Sequence, residues 1–363
     1  MLHKYLTLGG VTTYLDILAG LLTNKGYCVH LIAGVDEKNR ALMESLESSG
    51  LNLIPVPNSR NIGAMSKNIL KEILRLRRNK RVDIIHSHHR LTHLLGKFVS
   101  TVSPIPLLLT VHEFKNDQEF LTRIWKNERM TVPSHALKQH LMTQYSVKDK
   151  KIKVIPNALK NKISLDGKKL EWLRQNVFNT ADVIYVGYIG RVCYEKGLDT
   201  IIESMQLVRR ADANIKFRIF GDGPLLEDLK IECEKMGFNP DEVFQGVTHH
   251  VNEVLELLDI FLAPSRNESF CISAVEALRA SRPVIAGRVG GLTEVIKDET
   301  TGFLIEPGNA RKLADKILLL SSKKQLRLKL GQQGRQRFEE KFTLPSFYKN
   351  YVRQYDQLVK QNP

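Results

Sequence analysis

Val183-Ile184-Tyr185-Val186-Gly187-Tyr188-Ile189-Gly190-Arg191-Val192-Cys193-Tyr194-Glu195-Lys196-Gly197 decides the fold class of this chain. Its first seven residues carry no charge and are rich in β-branched and aromatic side chains. Such a run, closed by a glycine, reads as a strand buried on both faces. The loop after Gly190 holds two cations and ends at Gly197, where a helical pattern begins. Strand, glycine loop and helix in that order form the repeating unit of a parallel sheet covered by helices. An arginine can grip a diphosphate with a two-pronged fork, and a lysine adds a point charge. In isolation, Arg191 and Lys196 also read as ordinary surface cations.

The same rhythm runs outward in both directions. Further strand candidates in the second half are Lys216 to Phe220, Val243 to Gln245, Ile260 to Ala263, Pro283 to Ala286 and Gly302 to Ile305. Those in the first half are Cys28 to Ala33, Leu51 to Val56, Val82 to His86, Leu107 to Val111, Met130 to Pro133 and Ile152 to Ile155. Helix patterns such as Val11 to Thr23 and Ser66 to Arg78 lie between them. The polar, lysine-rich stretch Asn157 to Lys169 separates the halves, and Leu344 to Lys360 reads as a helix beyond the second sheet. A length of 363 residues suits two cores. The expected fold class is α/β, with two Rossmann-like doubly wound parallel sheets facing a cleft. Domains are expected at residues 1–160 and 161–342, with a terminal helix at 343–363. Ligands in such sheets bind beyond the C-terminal strand ends.

Composition narrows the class. Hydrophobic residues at 42% and charged residues at 26% are those of a folded globular chain. Cys28, Cys193, Cys233 and Cys271 are widely spaced and read as reduced thiols of a cytoplasmic protein. No apolar run approaches the ~20 residues of a membrane span, and no signal peptide opens the sequence. The net charge of +15 is unevenly placed. Residues 1–165 hold 25 Lys and Arg against 12 Asp and Glu, a net +13, whereas residues 166–363 hold 29 against 27. Arg75, Arg77, Arg78, Lys80 and Arg81 form one cluster; Lys148, Lys150, Lys151 and Lys153 form another. Each cluster alone reads as a solvated face. The asymmetry points to an anionic partner for the first half, either a phospholipid surface or a phosphorylated acceptor. No basic–aromatic interleaving supports nucleic acid.

Several loops carry chemistry. Gly9 and Gly10 precede the first helix, where free N–H groups and the helix dipole suit a phosphate. Gly221-Asp222-Gly223-Pro224 follows a strand and either admits a nucleobase or makes a tight turn. In Pro264-Ser265-Arg266-Asn267-Glu268-Ser269-Phe270-Cys271-Ile272-Ser273-Ala274-Val275-Glu276, two carboxylates lie eight residues apart across a strand end and the next helix. Carboxylates accept paired hydroxyl hydrogen bonds. Gly290-Gly291 again opens a helix. His86, His88, His89 and His93 admit a zinc reading, but no carboxylate or cysteine completes a metal motif. Lining the acceptor side of the cleft is the better expectation for them.

Together these stretches resemble glycosyltransferase family 4, the glycosyl transferases group 1, which are retaining enzymes of the GT-B fold. The resemblance rests on Gly9-Gly10, Thr110-Val111-His112, Val154-Ile155-Pro156-Asn157, Gly190 to Gly197, Gly221 to Pro224 and the pair Glu268 and Glu276. It spans nearly the whole chain. It implies transfer of a hexose-type sugar from a nucleotide-diphosphate-sugar to a glycan or lipid-linked acceptor, in synthesis of a cell-surface polysaccharide or glycolipid. It implies that residues 1–160 are the acceptor side, that 161–342 bind the donor and that 343–363 return to the first domain. By it, Arg191 and Lys196 hold the diphosphate, Glu276 the ribose and Glu268 the donor sugar. His112 lies near the transferred sugar and Gly9 and Gly10 back the phosphates. Gly221, Gly223, Ser269, Phe270, Cys271 and Ile272 line the donor pocket. No metal or other cofactor is expected, because Arg191 and Lys196 supply the countercharge. The expected location is cytoplasmic, with the inner membrane face as a candidate surface.

The chain departs from the family pattern in places. Only eight residues precede Gly9, so the first strand looks clipped or the sheet edge short. Ser269, Cys271, Ala158 and Ser281 stand where the family carries glycine. These departures keep open an inactive member that binds sugar or a partner enzyme. A sugar-nucleotide epimerase of the same fold is the other alternative.

Overall fold

A computed structural model describes residues 1–6, 9–35, 43–44, 46–47, 50–57, 61–79, 82–114, 124–212 and 214–361. The chain divides into two compact units, Met1–Ala158 with Leu344–Pro363, and Leu159–Thr343.

The first unit is built on seven strands: β1 Leu2–Tyr5, β2 His30–Val35, β3 Asn52–Pro57, β4 Ile85–Ser87, β5 Leu107–Thr110, β6 Arg129–Val132 and β7 Ile152–Val154. Their order is β3-β2-β1-β4-β5-β6-β7, with every pair parallel. Side chains alternate across the sheet, which sorts them into two cores. Leu31, Ala33 and Leu108 face one layer, where Tyr14, Leu15 and Leu18 of the Gly10–Thr23 helix meet Phe347, Tyr351 and Tyr355 of the Leu344–Gln361 helix. Ile32, Leu107 and Leu109 face the other, under Met65, Ile69 and Ile73 of the Ile62–Asn79 helix, Val99 of Arg90–Val102 and Leu137 of His135–Tyr145. Burying each such large side chain contributes about 1.5–3 kcal/mol. The short first strand is no edge: β1 lies between β2 and β4. Its four residues suffice because neighbours on both sides pair with it.

The second unit carries β8 Ile184–Ile189, β9 Ile215–Phe220, β10 Ile260–Ala263, β11 Val284–Gly287 and β12 Gly302–Ile305. The order is β12-β11-β10-β8-β9, again parallel throughout. The strand expected at Val243 to Gln245 is absent. Pro240–Val243 forms a helical turn instead, and only a single bridge joins Phe244 to Ile219. Local capping explains the difference: the Asn239 side chain accepts from the Asp241 N–H at 3.0 Å, and Pro240 occupies the first helical position.

The charge asymmetry follows the structural division. The first unit holds 26 Lys and Arg against 13 Asp and Glu, the second 28 against 26. Among the described residues no helix is long and apolar enough to cross a membrane.

Candidate functional site

In the second unit, the loops after β8, β9, β10 and β11 interlock at the C-terminal edge of the sheet. Gly197 has φ +68°, and a Cβ there would meet the Pro264 carbonyl oxygen at 2.2 Å. Gly221 has φ +148°, and its Cβ would lie 1.8 Å from the Gly190 carbonyl oxygen. Both positions need glycine for conformation and for space. The Gly221–Pro224 stretch is therefore packed against the Gly190 loop; a Cβ on Gly223 would lie 2.2 Å from the Val192 carbonyl oxygen. Gly291 sits against the Ser269 backbone and donates its N–H to the Glu268 carbonyl at 2.9 Å. Arg266 clamps the assembly with a fork to Asp199, both bonds at 2.6 Å, and its own N–H reaches the Glu195 carbonyl. The Tyr188 hydroxyl donates to the Arg191 carbonyl at 2.8 Å. Arg266 and Asp199 escaped the sequence reading because an ion pair between distant positions leaves no local signal; Tyr188 escaped it because its place in an apolar strand reads as core alone.

Those loops place Lys196 and Glu268 in direct contact as an ion pair. The pair is largely enclosed, with the lysine side chain 28% and the glutamate 9% exposed. Burial opposes the Lys196 charge, but the Glu268 carboxylate more than offsets it, so its pKa rises above the ordinary lysine range. The ammonium has three donors, so one bond to Glu268 leaves others for a ligand. Arg191, at the start of the same loop, is exposed. Phe270 is buried and turns its ring into the core against Phe342 at 5.8 Å. Ser269 and Ile272 are half-buried. Glu276 lies on the following helix, Ile272–Arg279. Burial pushes its carboxyl up to about 7, with the Arg279 cation working weakly the other way.

Two of the four substituted glycine positions retain glycine-like geometry. Cys271, with φ +74°, and Ser281, with φ +58°, are left-handed. Ser269 and Ala158 are not. A left-handed L-residue costs about 1–2 kcal/mol, a strain borne where the loop enters and leaves the Glu276 helix. Cys271 is buried, and burial together with the nearby Glu268 raises its thiol to about 11.

In the first unit, Gly9 begins the Gly10–Thr23 helix with φ +154° and nothing within 4 Å of its Cβ position. Among the described residues no side chain caps this N-terminus, and Gly9 and Gly10 are exposed. His112 follows β5; its Nε2 lies 3.4 Å from His88 Nδ1, and Tyr14 packs edge-on at 4.7 Å. Burial, aided by His3 and His89, lowers His112 to about 3, so the ring is neutral.

The remaining histidines differ from expectation. His86 is buried, bonded to Thr110 Oγ1 at 2.7 Å and to the Tyr355 hydroxyl at 2.9 Å. His93 is buried against Trp125 and bonded to the Ser87 hydroxyl at 2.8 Å. Neither lines an acceptor surface; both are polar members of the core. His89 caps the Arg90–Val102 helix, accepting from the Leu91 N–H at 3.1 Å. His86 extends into a network in which Tyr351 bonds Tyr14 at 2.6 Å and Thr131 at 3.1 Å. The terminal helix is thus fastened to the sheet by hydroxyls as well as by apolar contact. Among the described residues no group of three or more His, Cys, Asp or Glu is placed to hold a metal ion.

Comparison with known proteins agrees with this architecture. The Glycosyltransferase Family 4 profile matches residues 8–160, and the Glycosyl transferases group 1 profile matches residues 170–337. The chain belongs to this glycosyltransferase family and has its GT-B fold. The capsular polysaccharide biosynthesis glycosyltransferase CapM of Staphylococcus aureus is 26% identical over 332 residues, 85% of each chain. A glycosyltransferase structure from Rickettsia africae ESF-5 aligns with a TM-score of 0.82 at 21% identity, covering 99% of this chain and 97% of that one. Anabaena Alr3699/HepE in complex with UDP-glucose aligns with a TM-score of 0.84 at 18% identity, covering 98% of both.

Proposed function

We propose that the protein transfers a hexose-type sugar, with retention of anomeric configuration and without a metal, from a uridine-diphosphate sugar to a glycan or lipid-linked acceptor in cell-surface polysaccharide or glycolipid synthesis. The observation that carries this reading is the enclosed Lys196–Glu268 pair on interlocked loops, with Arg191 exposed at the start of the loop that carries Lys196. The CapM relative acts in capsular polysaccharide synthesis and the HepE structure holds UDP-glucose, which supports the donor class and the pathway class.

In this reading, the 161–342 domain binds the donor and the 1–160 domain the acceptor. Arg191 and Lys196 hold the diphosphate and stabilise its charge as it leaves. Glu276 accepts hydroxyls of the ribose and Glu268 those of the donor sugar. The Gly9–Gly10 amides back the phosphates. Gly221, Gly223 and the backbone of Ser269 to Ile272 line the donor pocket, and His112 lies by the transferred sugar. Both glutamates are engaged in binding, so no carboxylate is left as a covalent nucleophile. The glycosidic C–O bond to the diphosphate breaks with its electrons on the phosphate oxygen. The acceptor hydroxyl then bonds the oxocarbenium-like carbon on the same face, and its proton passes to that phosphate oxygen.

A panel of nucleotide sugars, followed by anomer-resolved NMR of the product, tests this. Turnover of a uridine donor in EDTA with retained configuration is expected. Inversion, or a strict demand for Mg²⁺ or Mn²⁺, refutes the mechanism. Binding of a donor without turnover on any acceptor points to the inactive member, and an epimerised free sugar to the epimerase.

A further inference from the structure

His88 and His112 stand at the ends of neighbouring strands of the first unit. β4 and β5 run parallel with Ser87 opposite Leu109, which brings the residues that follow them side by side. The two imidazoles stack at 5.6 Å with 28° between their planes, and His112 Nε2 lies 3.4 Å from His88 Nδ1. The Tyr14 ring packs on both, 4.7 Å from His112 and 5.5 Å from His88, while its hydroxyl donates to Tyr351 at 2.6 Å. His88 is 3% exposed, and its backbone N–H donates to the Leu2 carbonyl at 2.9 Å. Its ring Nε2 is buried and has no hydrogen-bond partner among the described residues. His86, by contrast, uses both ring nitrogens, on Tyr355 and Thr110. Burial holds His88 and His112 below the ordinary histidine range, so each ring is neutral and carries a single N–H. One ring must then donate to the other. If His112 donated from Nε2, the one proton of His88 would sit on its own Nε2, an enclosed N–H with no acceptor. If His88 donates from Nδ1, its Nε2 is a lone pair without a donor. Unpaired donors are the rarer of the two in protein interiors.

We propose that His88 is a positioning residue, donating from Nδ1 to His112 Nε2 and so fixing the His112 proton on Nδ1. The bond made at one ring nitrogen decides which nitrogen is protonated. A histidine side chain in water favours the Nε2–H form, so the pair holds His112 in its minor tautomer. The consequence for transfer rests on the proposed function, in which His112 lies by the transferred sugar. With its one lone pair engaged by His88, His112 has no acceptor nitrogen for the proton of the incoming hydroxyl. It serves as a donor and not as a base, which accords with that proton passing to the departing phosphate oxygen.

The test is nitrogen NMR of the full chain, isotopically labelled at its histidine rings, which separates protonated from bare ring nitrogens. His112→Gln identifies the His112 signals. Neither donor nor acceptor is present, so this reading fails separately from the transferase reading. A bare Nε2 and a protonated Nδ1 are expected on His112 in the parent. In His88→Leu the ring should revert to the Nε2–H form. His88→Asn, whose amide nitrogen occupies the place of the imidazole Nδ1, should restore the parental form. His88→Gln, whose amide nitrogen sits at the Nε2 position, should not, and it serves if the leucine variant misfolds. With a uridine-diphosphate sugar, His88→Leu should lower kcat about five- to ten-fold with little change in the donor KM, and His88→Asn should recover most of that. Thermal melts by circular dichroism check that each variant is folded. A protonated Nε2 on His112 in the parent, or the parental tautomer in folded His88→Leu or His88→Gln, overturns the proposal.

Discussion

Replacing Glu276 with glutamine should stabilise the protein at alkaline pH and weaken its grip on nucleotide. The Glu276 carboxyl is raised from 4.5 to about 7, chiefly by burial. Between those two values the folded chain holds a proton that the unfolded chain has released. Stability is therefore greatest below pH 4.5 and falls as pH rises to about 7. At 1.36 kcal/mol for each unit of pKa, the full penalty at pH 8 is about 3 kcal/mol. Glu276 is only half-buried by surface area, so solvent screening reduces this to about 2 kcal/mol. Glutamine keeps the shape without the charge. In urea denaturation the variant should gain about 2 kcal/mol over the parent at pH 8 and nothing near pH 4.5. Under the proposed function, that stability is given up for an ionised acceptor that meets the ribose hydroxyls. Nucleotide binding by the parent should then release a proton, its affinity rising up to about ten-fold per pH unit below 7. The glutamine variant should bind UDP weakly and without that pH dependence. An equal stability gain at both pH values, or pH-independent UDP affinity in the parent, would refute this account of Glu276.

Lys196→Met should cost about 2–3 kcal/mol, because it leaves the enclosed Glu268 carboxylate without its cation. A Lys196→Met, Glu268→Gln double variant should recover most of that, and additive losses in denaturation would show that the pair is uncoupled. Ser281→Gly should raise the unfolding midpoint by about 2–4 °C for each ~1 kcal/mol of strain relieved, as calorimetry would show; an unchanged or lower midpoint counts against strain at that turn. With a disulfide reagent at pH 7.5 the exposed Cys28 should react first without loss of activity, while Cys271, buried and raised to about 11, should stay protected until unfolding. Fast inactivation that persists in Cys28→Ser would contradict the placement of Cys271. Tyr355→Phe should cost about 1–2 kcal/mol, since it leaves His86 Nδ1 unpartnered in the core; parental stability would make that bond idle.

Much of the fold lies open in the sequence. Strands such as Ile260–Ala263 and Gly302–Ile305 are buried on both faces, so they appear as unbroken apolar runs ending at a loop. The candidate loops are equally visible, because glycines and cations cluster where a strand gives way to a helix. The Val243 to Gln245 stretch shows the limit: three residues of strand propensity yield to the Asn239–Pro240 cap. The histidines show another. His86 and His93 carry polar rings, and their sequence positions beyond a strand suggest a surface. Yet Tyr355 and Ser87 supply the bonds that allow them to be buried. Tyr355 lies 269 residues from His86, a separation that no local pattern reports. The left-handed backbone of Cys271 and Ser281 is likewise a product of packing, since cysteine and serine favour other conformations when free. Local pattern thus determined the parallel sheets and the loops of the candidate site, because periodicity and turn chemistry act over a few residues. The Lys196–Glu268 pair, the raised Glu276 and the hydroxyl network beneath the terminal helix were decided by tertiary structure alone, because charge coupling and desolvation exist only once distant segments share one enclosed space.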